Sequence, residues 1–139
     1  FSPEEAHVVA ALIRKMHEAK LCGSTAVTVW GSGEPRREFV FARDLADACL
    51  CVMERYDGPG PINLGAGVDL SIRELAEAVR QTVGYHGRLC FDAGKPDGMP
   101  RKALDSSKLY RLGWRPRTRF ADALAETYAW FVRWEAERN

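Results

Sequence analysis

The sequence predicts a domain of the α/β or α+β class, with four or five helices and several short strands. Three observations support this. Apolar residues recur at helical spacing in several segments, two of which open with capping boxes, at Ser2 and Ser71. Between the helices lie short runs rich in Val, Phe and Trp that end near Gly or Pro. The length of 139 residues, 46% of them hydrophobic, suits one domain with a sizeable core.

The charge and hydropathy patterns exclude several classes of protein. The net charge is +1, with acidic and basic residues interspersed, whereas nucleic-acid binders normally carry a basic excess. No apolar run is long enough to cross a bilayer and no signal peptide opens the chain, so we expect a cytoplasmic protein that does not contact membranes. The chain starts at Phe1, directly before a helix cap and without an initiator Met, which is typical of a piece of a longer protein.

The cysteines indicate neither a metal centre nor a disulfide framework. No pair has C-x-x-C spacing, so a zinc site is not predicted. We expect small, buried, reduced thiols at Cys22, Cys49, Cys51 and Cys90.

The first predicted helix starts at the capping box of residues 2–5, has Pro3 at its first helical position and runs to about Leu21, where Gly23 ends it. Its apolar face comprises Val8, Val9, Ala11, Leu12, Met16 and Ala19. His7 lies one turn into this helix and Lys15 about two turns further along, so the two side chains can share a flank.

The segment 29–39 is predicted to form a strand, a tight turn at Gly31 and Gly33, and a second strand. The strands are indicated by the β-forming residues Val27, Val29 and Trp30 and then Phe39, Val40 and Phe41. The turn brings the Trp30 indole near Arg36 and Arg37. A flat ring beside guanidinium groups is typical of nucleotide recognition, because Arg binds phosphate through paired hydrogen bonds. A hairpin with a core Trp and two solvated arginines explains the pattern equally well.

The remaining elements follow from periodicity and turn residues. Asp44 opens a largely buried helix over 45–56, and a Gly-Pro break at 58–61 precedes a short strand over 62–64. A capped helix runs from Ser71 to Gly84, followed by a strand over 88–91 and a turn-dense loop over 92–100. Ser106 and Ser107 can cap a short helix over 108–112, and a last helix spans about 120–137. Its docking stripe consists of Leu124, Tyr128, Phe131 and Trp134.

Familiar cofactor motifs are missing from this sequence. Gly65-Ala66-Gly67 follows a predicted strand as a dinucleotide fingerprint would, but Leu70 stands where the third Gly is required. There is no G-x-x-x-x-G-K loop, and none of the tyrosines is followed four positions later by Lys. The residues alone therefore indicate no cofactor site and no catalytic base.

Several motifs taken in order resemble one family, the GDP-L-fucose synthases, which are extended short-chain dehydrogenase/reductases. They are the His7 to Lys15 run, Val29-Trp30-Gly31-Ser32-Gly33-x-Pro35-x-Arg37-Glu38-Phe39, Asn63-Leu64-Gly65-x-Gly67, Ser71-Ile72-Arg73-Glu74, Phe91-Asp92-x-x-Lys95-Pro96-Asp97-Gly98-x-Pro100-Arg101-Lys102, Leu112-Gly113-Trp114 and Tyr128-x-Trp130-Phe131. The similarity covers almost the whole chain. The run over 95–102 is its most specific part.

The resemblance implies a definite place in a two-domain enzyme. The family has an N-terminal Rossmann domain for NADP and a smaller C-terminal domain for the GDP-sugar. It converts GDP-4-keto-6-deoxy-D-mannose to GDP-L-fucose by C3 and C5 epimerisation and NADPH-dependent C4 reduction, as a homodimer. The chain resembles only the C-terminal α/β part, so we expect residues 1–139 to be one substrate-binding domain. We expect it to be inactive alone, with NADP bound mainly by the N-terminal half.

The resemblance also implies residue roles. His7 matches a His near the nicotinamide, which contacts the cofactor and assists epimerisation as an acid, and an imidazole suits this because its pKa lies near neutrality. Lys15, Trp30, Arg37 and Asp97 match substrate contacts. Arg37 would neutralise the diphosphate, Trp30 would pack on the nucleotide sugar, and Asp97 would accept hydrogen bonds from guanine or hydroxyls.

Simpler interpretations of these residues stay open: a His on a helix flank, a solvated Lys, a core Trp and an ordinary turn Asp. Arg101 and Lys102 are either phosphate contacts or solvated charges, Asp44 is a helix-terminal residue, and Arg36 receives no role. Two other functions also remain. One is a free-standing nucleotide-sugar binding module. The other is part of a related epimerase or reductase, which the 95–102 loop disfavours.

Overall fold

A computed structural model describes residues 7–138 of the chain. Its helices are α1 (Val8–Leu21), α2 (Ala42–Arg55), α3 (Ile72–Val83), α4 (Ser107–Arg111) and α5 (Phe120–Ala136). Its strands are β1 (Ala26–Trp30), β2 (Arg36–Glu38), β3 (Asp69–Ser71), β4 (Arg88–Asp92) and β5 (Arg101–Lys102). Helices thus alternate with short strands, which confirms the α/β prediction.

The strands form two small sheets. β1 pairs in parallel with β4 over its whole length. β2 is the central strand of the other sheet, antiparallel to β3 and parallel to β5. Because β1 and β2 belong to different sheets, the 29–39 segment connects two sheets and is not a hairpin.

The main core lies between the two-stranded sheet and helices α1, α3 and α5. Its fully buried side chains include Ile13, Met16, Leu75, Val79, Val83 and Phe131. The aromatic stripe of the last helix docks as predicted, because Leu124 and Phe131 are buried and Tyr128 and Trp134 pack against the same cluster. A smaller cluster of Ala48, Leu109 and Trp114 joins α2 to α4.

The second strand of the 29–39 segment was placed wrongly. The paired residues are Arg36–Glu38, whereas Phe39, Val40 and Phe41 lie in an irregular segment before α2. Phe39 packs against the core 6.2 Å from the ring of Phe120, and Phe41 is the N-cap residue of α2. Strand pairing with β3 and β5, rather than the apolar run, fixes the strand at the charged residues.

Two further predictions fail on the α2 side of the molecule. Residues 62–64 form no strand, since Ile62 and Leu64 pack on the side chains of α2 and α4 instead of joining a sheet. Helix α2 is not largely buried: Leu50 is 59% and Met53 81% exposed. Only the face that carries Ala48 and Val52 contacts the smaller cluster.

The expectation of buried thiols is also wrong. Cys22, Cys49 and Cys90 are exposed, Cys51 is half-buried, and all four are free. Cys90 illustrates the cause, because Leu89 and Phe91 on either side of it pack against the core and strand alternation turns Cys90 outward.

Helix ends agree only in part with the predicted caps. The capping box at Ser2 lies outside the described residues, and the described helix begins at Val8 with His7 as its extended N-cap residue. His7 therefore lies at the helix boundary and not one turn inside. The Ser71 capping box is present with both hydrogen bonds, and α3 ends at Gly84 with φ +67°. Ser106 occupies the N-cap position of α4, but its side chain makes no cap hydrogen bond.

Within residues 7–138 no helix is long and apolar enough to cross a membrane. The same range contains no cluster of three or more His, Cys, Asp or Glu side chains placed to hold a metal ion.

Candidate functional site

One cavity gathers most of the predicted site residues. It has a volume of about 710 Å³ and lies where the start of α1, the end of β1, the end of β2 and the 97–104 segment meet. His7, Trp30, Arg37 and Asp97 all line it, together with Lys102. These residues are far apart in sequence, so the tertiary fold creates the site.

Trp30 presents an exposed aromatic surface at the rim of this cavity. It is the last residue of β1 and is 66% exposed, so the alternative interpretation of a core Trp does not hold. The ammonium groups of Lys15 and Lys95 lie 5.3 and 5.4 Å from the ring centroid, within cation–π range. An exposed indole flanked by two cations can stack on an uncharged ring while the ammonium groups face a nearby anion.

Lys15 lies beside the Trp30 ring, which is its contact with the site. Its ammonium donates a hydrogen bond of 3.4 Å to the carbonyl of Thr28 in β1, and the residue is not among those lining the cavity. Lys95 was not singled out from the sequence. Lys95 is part of the 95–102 motif, but only the fold shows that its ammonium lies beside the same indole as that of Lys15.

Arg37 projects from the central strand into the cavity. Its Nη1 donates to the carbonyls of Arg36 at 2.8 Å and Met99 at 2.7 Å, which fixes the guanidinium against the 97–104 segment. A guanidinium carries five N–H donors, so donors remain to hold a phosphate.

Arg36, the neighbour of Arg37, binds acidic residues that do not line the cavity. Its Nε donates to Asp69 Oδ1 at 2.7 Å, and its Nη1 lies 3.3 Å from Glu74. Arg101 also binds Asp69 through its Nε. These two guanidinium hydrogen bonds lower the pKa of the Asp69 carboxyl below its ordinary value of 3.8. Arg36 and Arg101 thus tie the three-stranded sheet together, and of the two basic residues at 101 and 102 only Lys102 lines the cavity.

Asp97 closes one side of the cavity. Its Oδ1 accepts the backbone N–H of Ser32 and its Oδ2 accepts the Ser32 hydroxyl, both at 2.7 Å. Gly31 permits this contact, because it has φ +86° and a Cβ there would collide with the Asp97 carboxylate. Each carboxylate oxygen has a second lone pair, so the group can still accept from a ligand.

His7 is exposed and lines the cavity at the start of α1. Its backbone carbonyl accepts the N–H of Ala11 at 3.0 Å, which anchors the residue to the helix. His7 therefore lines the cavity from an anchored backbone position.

The glycines at 65 and 67 do not form a phosphate loop. The N–H of Gly67 donates to Glu38 Oε1 at 2.6 Å, so a carboxylate occupies the donor that a pyrophosphate would need. The Gly65–Gly67 segment is therefore not available as a glycine-rich phosphate turn. Glu38 and Ser32 were both missed by the sequence analysis, although both lie within the 29–39 motif.

A second cavity of about 470 Å³ shares Val9, Phe39 and Val40 with the first. It extends beneath α5 toward Asp44, whose carboxylate accepts the N–H and the hydroxyl of Thr118, both at 3.0 Å. Its other lining residues are mostly apolar, and none of the predicted site residues lies in it. Asp44 lies in the first turn of α2, which begins at Ala42 and not after Asp44 as predicted.

Comparison with known proteins identifies relatives of this chain. The model of the NAD dependent epimerase/dehydratase family matches residues 1–65. GDP-L-fucose synthase 1 of Arabidopsis thaliana is 50% identical over 96% of this chain and 41% of its own length. The GDP-L-fucose synthase of Escherichia coli K12 is 46% identical over 95% of this chain and 44% of its own length.

Solved structures show the same fold. A GDP-L-fucose synthetase from Naegleria fowleri, solved with NADP bound, superposes with a TM-score of 0.88 at 32% identity and covers 96% of this chain. The superposition involves 42% of that protein. The chain thus spans somewhat over two fifths of the length of the relatives it matches.

Proposed function

We propose, on the premise that this chain is a relative of the GDP-L-fucose synthases, that it is the GDP-sugar-binding part of such an enzyme. The observation that carries the proposal is the cavity that brings His7, Trp30, Arg37 and Asp97 together. A flat aromatic ring, a guanidinium, a carboxylate and an imidazole around one cavity are the groups that a nucleoside diphosphate sugar requires. In this proposal residues 1–139 act as one substrate-binding domain.

Each side chain has a distinct task in the proposed complex. Arg37 holds the diphosphate with donors that its backbone contacts leave open, and Lys102 adds positive charge on the same wall. Trp30 stacks on the nucleotide sugar, with Lys15 and Lys95 beside the ring. Asp97 keeps the Ser32 turn in place and accepts a hydrogen bond from the ligand.

His7 is the proposed acid of the reaction. The whole enzyme would convert GDP-4-keto-6-deoxy-D-mannose to GDP-L-fucose, which requires protons to be replaced at C3 and C5. An imidazole can deliver a proton there and recover it from solvent, and the exposed position of His7 gives it access to water. When bound, NADPH supplies the hydride for the C4 reduction, and His7 is the residue of this chain proposed to contact it. The same proposal includes that the whole enzyme is a homodimer in the cytoplasm.

The test is calorimetric titration of the chain with GDP and with UDP. Arg37→Met should weaken GDP binding roughly ten- to hundredfold, because it removes charged hydrogen bonds to phosphate. Arg55→Met is the matched control: Arg55 also donates to a backbone carbonyl, that of Leu112 at 3.2 Å, but lies outside the cavity.

The outcomes separate a GDP-sugar site from the site of a relative that acts on another nucleotide sugar. GDP binding that UDP does not reproduce and that Arg37→Met weakens supports the proposal. Equal binding of UDP would favour a relative that acts on another nucleotide sugar. No saturable binding of either nucleotide would contradict the assignment of a preformed GDP-sugar site to this chain. Tight GDP binding by the chain alone is also what a free-standing binding module would require.

A further inference from the structure

Two irregular segments form one wall of the cavity, and a single carboxylate holds both. Leu64 and Gly65 line the cavity from one segment, and Ala103 and Leu104 from the other. Glu38 Oε1 accepts the N–H of Gly67 at 2.6 Å, and Glu38 Oε2 accepts the N–H of Leu104 at 2.8 Å. Hydrogen bonds to a carboxylate are about twice as strong as those between neutral groups.

The two glycines of the Gly65-Ala66-Gly67 motif are explained by this contact. A Cβ on Gly65 would collide with Glu38 Oε1 and with the hydroxyl of Ser106. Gly67 has φ +76°, and a Cβ there would collide with the hydroxyl of Tyr110. The glycines therefore let the segment close around Glu38 and Tyr110.

Tyr110 supports the same segment through another hydrogen bond. Its hydroxyl donates to the carbonyl of Gly65 at 3.3 Å. Burial, and secondarily the negative charge of Glu38, raises the pKa of Tyr110 above its ordinary value of 10.0. The hydroxyl stays protonated at neutral pH and remains a donor.

The backbone of Glu38 is held in a sheet. It is the last residue of β2, the central strand, and it follows Arg37 directly. Strand β3 pairs with both residues and β5 pairs with Arg37, which fixes the backbone from which the two side chains project. The distance between the proposed phosphate ligand Arg37 and the wall formed by Leu64, Gly65, Ala103 and Leu104 is consequently set by one short strand.

We propose that Glu38 is a positioning residue for nucleotide binding, which holds these two wall segments at the distance from Arg37 that a bound nucleoside requires. The inference rests on the proposed function, because it assigns the wall to the nucleoside part of the ligand and leaves the diphosphate to Arg37.

The test compares Glu38→Gln with the unaltered chain in two measurements. Gln keeps the size of the side chain but leaves one of the two backbone N–H groups without an acceptor. Amide hydrogen exchange at Gly67 or Leu104 should therefore accelerate in the free protein. GDP affinity should fall about tenfold, as for the loss of one charged hydrogen bond. Inorganic pyrophosphate, which has no nucleoside, should bind with unchanged affinity.

The matched control is Asp44→Asn. Asp44 also links two segments by accepting a backbone N–H, that of Thr118, but it does not line this cavity. The Asp44→Asn variant should have a lower melting temperature than the unaltered chain and the same GDP affinity.

Three results would overturn the proposal: unchanged exchange at both amides, faster exchange with unchanged GDP affinity, or equal loss of GDP and pyrophosphate binding. If the unaltered chain fails to bind GDP, the proposed function fails and the ligand role of Glu38 with it. The exchange measurement then still shows whether Glu38 holds the backbone N–H groups of Gly67 and Leu104.

Discussion

Short hydrogen bonds hold the segments around the cavity. The loss of stability when one of them is removed depends on the local backbone geometry. Ser32 is bound by Asp97, and Gly67 by Glu38, each through a carboxylate that accepts a backbone N–H. Arg73 adds a third support, since its Nη2 donates to the carbonyl of Ser32 at 2.7 Å while its guanidinium lies over the ring of Phe91. The cavity rim is thus fixed residue by residue.

At this scale Gly67→Ala tests the close packing of the 65–67 segment. Alanine in the left-handed conformation costs about 1–2 kcal/mol, and displacement of Tyr110 adds an overpacking cost of about 1–3 kcal/mol. Gly60→Ala is the matched control, because Gly60 has φ +83° but nothing lies within 4 Å of its Cβ position. Denaturant unfolding measures both. Equal losses of stability in the two variants would contradict the packing argument.

Among the elements, the three-stranded sheet depends on one carboxylate. Each of its strands is only two or three residues long, so backbone pairing alone provides few hydrogen bonds. Asp69 on β3 compensates by binding Arg36 on β2 and Arg101 on β5. The sheet in turn holds Arg37, Glu38 and Lys102 at the cavity.

Asp69 makes the stability of this sheet dependent on pH. Its carboxyl pKa is lower in the folded protein than the ordinary value of 3.8, so its contribution is fully present above that value and is lost as the pH falls through the folded-state pKa. Asp69→Asn should be less stable than the unaltered chain at neutral pH, and the difference should disappear in acid.

Urea unfolding at a series of pH values from neutral to about pH 2 measures this difference. Asp57→Asn, at an exposed position in the loop after α2, serves as the control and should show no comparable dependence. A difference between Asp69→Asn and the unaltered chain that persists in strong acid would contradict the ion-pair explanation.

For the whole molecule, the docking of α5 joins the last part of the chain to the first. The ring of Phe131 packs edge-on against His17 of α1, with 5.3 Å between ring centroids. His17 also lies 2.9 Å from the Tyr128 hydroxyl and 3.1 Å from Glu135. Helices α1 and α5 are therefore connected by apolar and polar contacts at once.

Phe131→Ala should destabilise the chain by about 3–5 kcal/mol, because it removes a fully buried aromatic ring and leaves a cavity. Val132→Ala on the same helix changes a side chain that is 38% exposed and should cost under about 0.5 kcal/mol. Thermal unfolding of the two variants checks the prediction. A small effect of Phe131→Ala would show that α5 contributes little to the core.

Local sequence signals predicted the elements whose ends are marked by specific residues. Ser71 and Glu74 define the start of α3, Gly84 defines its end, and the spacing of Leu124 and Phe131 identified the buried face of α5. Residue chemistry and the family resemblance also selected Trp30, Arg37 and Asp97, which the fold brings to one cavity. The assigned roles of these residues stay predictions.

Only the tertiary structure decided features that depend on contacts between distant segments. It placed the strand at Arg36–Glu38 instead of at Phe39, left residues 62–64 unpaired and turned Met53 and Cys90 to the surface. It also revealed Glu38 as the link between the two segments that form one wall of the cavity. The physical reason is that propensity and caps act within a few residues, whereas strand partners, burial and hydrogen-bond acceptors are supplied by chain segments far away in sequence.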